Sequence, residues 1–345
     1  MWQYHISRVN RKSCRNHFKK SNVHYDGNSF GGLNVTSKFC GVRPALHLDI
    51  DYSELWSYAG QVTANGGKIV STPTPLPTTN PATTEENKYG ISNPSTDGDD
   101  SVSWDCIYFG NYPQNEYFPK QQPENPISGT VYEDSDGTKM LYKKGIVEEY
   151  DTQKDCCVEV VCSKYFKIEP IKWRVLSIDG DDAFLLSDRN LDCQAYYSPY
   201  YNVTWGDSEL CKWLNKTFYN TAFTDLEQNA ITETKVITTI HEGTDGSPNS
   251  RNKVYLLSIE DIINSQYGFI SDVDKKSKTR ESKNTSYAQF CGAWTCTDEE
   301  YEGNGWWWLR SLGDSSRKAL EVNKRFFWGY IQCVDREHGC LHKAT

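Results

Sequence analysis

The chain has 345 residues, 37% of them hydrophobic and 13% aromatic, with a formal net charge of -9. No basic stripe with interleaved aromatics occurs, which argues against a nucleic-acid partner. No apolar run approaches a membrane span, and the basic start (Arg8, Arg11, Lys12, Arg15, Lys19, Lys20) lacks the apolar centre of a secretory signal, so neither a span nor an export signal is expected.

Aromatics are abundant, with 11 Trp and 22 Tyr, a balance that suits short strands and turns. The twelve cysteines are irregularly spaced, densest at Cys156, Cys157 and Cys162. No Cys-x-x-Cys pair exists, so buried thiols, or a few disulfides in an exported chain, are expected rather than a metal site. No cofactor is expected.

Residues 1–22 are polar and basic without periodicity and read as disordered. Val23 to Asn28 reads as a strand entering a turn. In Ala45-Leu46-His47-Leu48-Asp49-Ile50 the alternation is clear, with Leu46, Leu48 and Ile50 on one face, and Pro44 sets the strand's start at an edge or bulge. Residues 51–101 read as a linker, centred on the Pro/Thr run from Ser71 to Pro81, which favours extended geometry and cannot build a core.

A domain is expected over 102–345. Trp104 to Gly110 reads as a strand and 114–165 as irregular, with Asp134-Ser135-Asp136-Gly137 a turn rather than a calcium loop. Ile171 to Ile178 and Ala183 to Ser187 form a hairpin around Asp179–Asp182. Asp207 or Ser208 caps a helix bearing Leu210, Trp213, Leu214 and Phe218, and Thr224 with Glu227 makes a capping box. Lys253 to Leu257 reads as a strand, after which Ser258 caps a turn carrying Ile259, Ile262 and Ile263. Two further strands are expected at Ala319–Asn323 and Phe326–Ile331, joined at Lys324-Arg325.

In Gly305-Trp306-Trp307-Trp308-Leu309-Arg310-Ser311, Trp306, Trp308 and Arg310 share one strand face and Trp307 takes the other. Large aromatics on both faces predict a strand covered on both sides, with Arg310 structural; the sharper alternative is an aromatic ligand platform. Arg43, Trp173 and Trp213 are expected to be structural as well.

Residues 104–335 resemble a bacterial domain family of unknown function, common in surface proteins of gut Firmicutes. The resemblance rests on Pro170-Ile171-Lys172-Trp173-Arg174-Val175-Leu176, on Leu191-Asp192-Cys193, on Thr204-Trp205 with Leu210-Cys211-Lys212-Trp213-Leu214-Asn215, on the Val-Tyr-Leu-Leu-Ser strand and on Trp307-Trp308-Leu309-Arg310-Ser311. Leu312 stands where the family usually has proline. The family's end motif, Gly-Val-Arg-Pro-Ala-Leu-His-Leu, occurs here as Gly41 to Leu48 rather than at the C-terminus. Residues 23–50 thus look like the tail of one domain copy, and 102–345 like a second copy lacking its last strand. The motifs are similar to those of C-type-lectin-like and formylglycine-generating-enzyme-like folds, which implies an α+β fold with a small twisted antiparallel sheet, flanking helices and long loops.

The resemblance implies a non-catalytic extracellular or cell-surface module for a carbohydrate or protein ligand, with no catalytic residue and with contacts from Arg325, Phe327, Trp328, Tyr330 and Arg336. One alternative is an enzyme of formylglycine-generating type using Cys333 with Cys340, or Cys291 with Cys296. Another is a non-functional fragment of a longer repeat protein. The displaced motif also implies that Ala45–Ile50 adds to the sheet beside Trp104–Phe109, in cis or by strand exchange with a second copy.

Overall fold

The structure, a computed structural model, describes residues 30–65, 68–71, 88–96, 101–151, 156–237, 249–273, 277–312 and 318–322. Its architecture is mixed and sheet-rich with few helices, an α+β arrangement at the coarse level. The early strands are β1 (Phe30–Asn34), β2 (Gly41–Val42), β3 (Ala45–Asp49), β4 (Ser57–Asn65) and β5 (Lys68–Ser71). Next come β6 (Ser95–Thr96), β7 (Val102–Tyr117), β8 (Val131–Glu133), β9 (Lys139–Asp151), β10 (Cys156–Asp179), β11 (Asp182–Ser187) and β12 (Asp192–Cys193). Short strands β13 (Ile231–Thr232), β14 (Thr234–Val236), β15 (Ser250–Asn252) and β16 (Val254–Tyr255) precede β17 (Trp307–Leu312) and β18 (Lys318–Val322). The helices are α1 (Glu209–Trp213), α2 (Tyr219–Ala222), α3 (Asp225–Ala230) and α4 (Ser286–Phe290), and a π-turn over Leu214–Phe218 carries α1 into α2.

The larger sheet runs β13-β3-β11-β10-β7-β4-β5. The smaller runs β1-β18-β17-β2-β12, with β17 parallel to β2. Segments from before and after the Pro/Thr run therefore share both sheets. Leu46, Leu48 and Ile50 are fully buried in one continuous core with Trp104, Trp173 and Trp307. Burying three such side chains contributes roughly 1.5–3 kcal/mol each, enough to hold a five-residue strand in place.

The partner of that strand differs from the sequence expectation. β3 pairs antiparallel with β11, Leu46 opposite Leu185 and Leu48 opposite Ala183. The neighbours of Trp104–Phe109 are β10 and β4. β4 lies inside the segment read as linker: its Val62 and Ala64 are buried, and Val62 pairs with Trp104. Its alternation is short and interrupted by Gly60 at φ 74°, which weakens the sequence signal. Residues 114–165 are irregular only in part: residues 118–130 hold no strand or helix, whereas β9 and β10 form a long hairpin with Val161 opposite Ile146. The doublets Lys143-Lys144 and Glu148-Glu149 break the two-residue period there, and the pattern resembles a polar loop.

Other elements follow their local chemistry. Gly180, at φ 64°, turns β10 into β11. The Ser208 side chain caps α1 by accepting from the Cys211 N–H, and Thr224 and Glu227 cap α3 reciprocally. The strand expected over 253–257 shrinks to Val254–Tyr255, and Ser258 accepts from the Asp261 N–H to start a 3-10 turn. β18 occupies the strand expected at 319–323. The strands expected at 23–28 and 326–331, the start read as disordered and the Pro/Thr run after Ser71 lie outside the described residues.

Two buried guanidiniums fasten the layers. Arg43 donates from Nε to the Ser187 carbonyl (2.9 Å) and stacks 4.9 Å over the Trp307 ring. Arg174 donates to Asp188 Oδ1 (2.7 Å) and lies 5.0 Å over Trp104. A guanidinium on an indole face is a favourable cation–π contact, stronger when desolvated.

Candidate ligand-binding site

A surface hollow of about 310 Å³ opens between the end of β12, α1, the end of α4 and the loop before β2. Cys193 ends β12 and Gln194 follows it, Glu209 and Trp213 are the first and last residues of α1, Cys291 follows α4, and Lys38 lies in the loop before β2. Ser198 also lines it, and its N–H donates to Glu209 Oε2 (2.8 Å). Trp213 is half-buried, resting on Phe218 at 5.8 Å between ring centres while opening onto the hollow.

The floor is fixed from below. Trp308 donates its indole N–H to the Gln194 carbonyl (3.0 Å), and the Gln194 side chain donates to Asp192 Oδ1 (2.9 Å). The same Asp192 oxygen accepts the Cys193 N–H (2.6 Å), and Oδ2 accepts the Tyr112 hydroxyl (2.6 Å). The Cys193 thiol donates to the Lys38 and Cys40 carbonyls, both at 3.2 Å. The Trp strand thus serves the hollow by positioning Gln194, without lining it.

Burial governs the titrating groups here. Desolvation raises the Asp192 carboxyl against three opposing hydrogen bonds. It pushes the Cys193 thiol far up, helped by the charge of Asp192, and pushes Cys291 up to about 12 with Asp192 as the next cause. Both thiols therefore stay protonated at neutral pH, whereas a nucleophilic cysteine needs a lowered value. The hollow offers hydrogen-bonding groups and an aromatic face rather than an activated nucleophile.

Phe39 from the loop before β2, Trp294 after α4 and Trp306 before β17 make an aromatic group. Trp294 and Trp306 stack at 5.2 Å with a 28° interplanar angle, and Phe39 meets Trp306 edge-on at 5.8 Å. Phe39 is 38% exposed. A second hollow of about 830 Å³ lies between Lys139, Lys167 and the Thr224–Glu227 capping box. It has no thiol, and Phe223, its one aromatic lining residue, is buried against Phe109 and Phe218.

Arg325, Phe327, Trp328, Tyr330 and Arg336, and the cysteines Cys333 and Cys340, lie outside the described residues. Trp308 and Trp173 are fully buried, the latter donating to the Phe109 carbonyl (2.8 Å), whereas Trp306 is half-buried. Arg310 donates from Nη1 to the Leu256 carbonyl (2.8 Å) and to Asp261 (2.6 Å), and stacks 5.7 Å over Tyr255. Trp213 does more than pack, because it also lines the hollow. Cys296 accepts the Asp298 N–H (3.2 Å), and Cys291 packs against the small cluster that holds Cys193. The carboxylates of Asp49, Asp51 and Asp181 gather at the surface, where Lys88 and Tyr89 donate to Asp51 (2.5 and 2.7 Å).

Sequence reasoning missed Lys38, Gln194, Ser198 and Glu209. Each is an ordinary surface polar residue, and only the fold brings Lys38 beside residues more than 150 positions away. Among the described residues, no helix is long and apolar enough to cross a membrane.

A family model described as a domain of unknown function, DUF6273, matches residues 180–339. The match covers most of the hollow's lining but excludes Lys38 and every strand from β1 to β10. No curated protein and no solved structure matches the chain.

Proposed function

We propose that the protein is a non-catalytic, lectin-like binding module of an extracellular or cell-surface protein, taking a carbohydrate at the hollow beside Trp213. One observation carries this reading: Trp213, Gln194, Glu209 and Lys38, an aromatic, an amide, an acid and a base, line one hollow of about 310 Å³. Sugars present apolar C–H faces that stack on an indole and hydroxyls that pair with amide and carboxylate groups, and pockets of this size suit small ligands. The raised Cys291 thiol speaks against the Cys291–Cys296 form of the cysteine-enzyme alternative. The stack of Phe39, Trp294 and Trp306 supplies a second contact surface for a longer ligand, and Arg325, Phe327, Trp328, Tyr330 and Arg336 remain the contact set proposed from the sequence.

The test is a glycan array with the full chain, followed by calorimetric titration of any hit. Trp213→Ala and Glu209→Gln should each weaken binding about tenfold or more, and Glu209→Gln should do so with a melting temperature close to the parent's. Binding unaffected by both substitutions would move the site elsewhere. Absence of glycan binding would turn the reading toward a protein ligand.

A further inference from the structure

The two cysteines on the wall of the hollow come from distant parts of the chain. Cys193 ends β12 and Cys291 follows α4. Both nevertheless belong to one small apolar group, Cys193 with Ala288 and Ala293 and Cys291 packed against them; Cys291 is near enough to act electrostatically on Cys193, and both line the same solvent-open hollow. The scaffold holds both ends of this contact. The Thr285 N–H donates to the Asn190 carbonyl (3.0 Å), and Thr285 Oγ1 donates to the Leu191 carbonyl, so the start of α4 is tied to the chain entering β12. At the other end, the Cys291 N–H donates to the Tyr287 carbonyl (2.9 Å) and the Ala293 N–H to the Ala288 carbonyl (2.9 Å). Cys193 is 7% exposed and Cys291 is half-buried, so a small reagent entering the hollow meets Cys291 first.

We propose that Cys193 and Cys291 form a disulfide when the protein meets a low-molecular-weight disulfide such as oxidised glutathione, stapling β12 to α4 along one wall of the hollow. Cys291, as its thiolate, attacks the small disulfide; a mixed disulfide forms and one small thiolate leaves. The Cys193 thiolate then attacks the Cys291 sulfur, and the second small thiolate leaves. The two protein thiol protons end on the two departing thiols, and the small disulfide is reduced as the protein pair is oxidised. Because both thiols are held protonated by burial, the reaction is slow at neutral pH and quickens as pH rises, as befits a structural staple rather than a redox catalyst. The proposal does not depend on what the hollow binds.

The experiment exposes the full native chain to oxidised glutathione, alkylates the remaining thiols, and maps peptides without reduction. A cross-linked peptide joining Cys193 to Cys291, lighter by two hydrogens than the two thiol peptides, is expected. The oxidised protein should melt roughly 5 °C or more above the reduced one, as expected for a bond closing a loop of this length. Dithiothreitol should remove that gain, and Cys291→Ser should never show it. Three results would each overturn the proposal: both thiols remaining alkylatable, Cys193 or Cys291 joined to a different cysteine, or a persistent mixed disulfide on Cys291 with Cys193 still free.

Discussion

Arg310 shows how a residue that looks functional is consumed by structure. Its guanidinium is bound by the Leu256 carbonyl and the Asp261 carboxylate and lies over Tyr255. Removing one partner of a largely buried ion pair leaves the other without compensation. Arg310→Leu should therefore lower unfolding stability by roughly 3 kcal/mol in urea denaturation, without moving any binding site. Asp134 makes a different statement. The Lys120 N–H and then the Tyr117 hydroxyl donate to it and draw its pKa from 3.8 down to about 2. A depressed carboxyl contributes stability that is fully present above its unfolded value and lost as pH falls through its folded one. Thermal melts should accordingly show the parent losing more stability than Asp134→Asn between pH 3.8 and about 2; parallel curves would remove Asp134 from the acid transition.

Among the elements, those legible in the sequence share a local cause. Ser208 and the Thr224–Glu227 box announce α1 and α3 because a cap acts within four residues. The hairpin of β10 and β11 is legible because Gly180 and its flanking alternation lie within one short window. What was not legible depends on distant partners. β4 has little pattern of its own and exists because β7 offers it an edge, and the long hairpin of β9 and β10 hides its alternation among lysines and glutamates. The hollow was only partly readable: Trp213, Cys193 and Cys291 lie in conspicuous motifs, whereas Lys38 and Glu209 gain meaning from a neighbour across the fold. The resemblance identified the end motif as a sheet strand, and the structure corrects its place from the edge of Trp104–Phe109 to the edge of β11.

For the whole molecule, the central point is that the segments on either side of the Pro/Thr run make one core. β2 and β3 enter both sheets, Arg43 stacks on Trp307, and Lys38 lines the hollow. Residues 180–339 match a family model, yet within this chain they pack their sheets against strands that precede them. The most direct measurement compares equilibrium unfolding of the full chain with that of a chain lacking residues 1–71. Loss of β3 and β4 uncovers Leu185, Trp104 and their neighbours, so the shortened chain should lose its cooperative transition and aggregate, and adding a peptide spanning 30–71 should restore at least part of the transition. If the shortened chain unfolds cooperatively at the same denaturant concentration as the full one, the N-terminal strands are not part of the core and the fold described above is wrong.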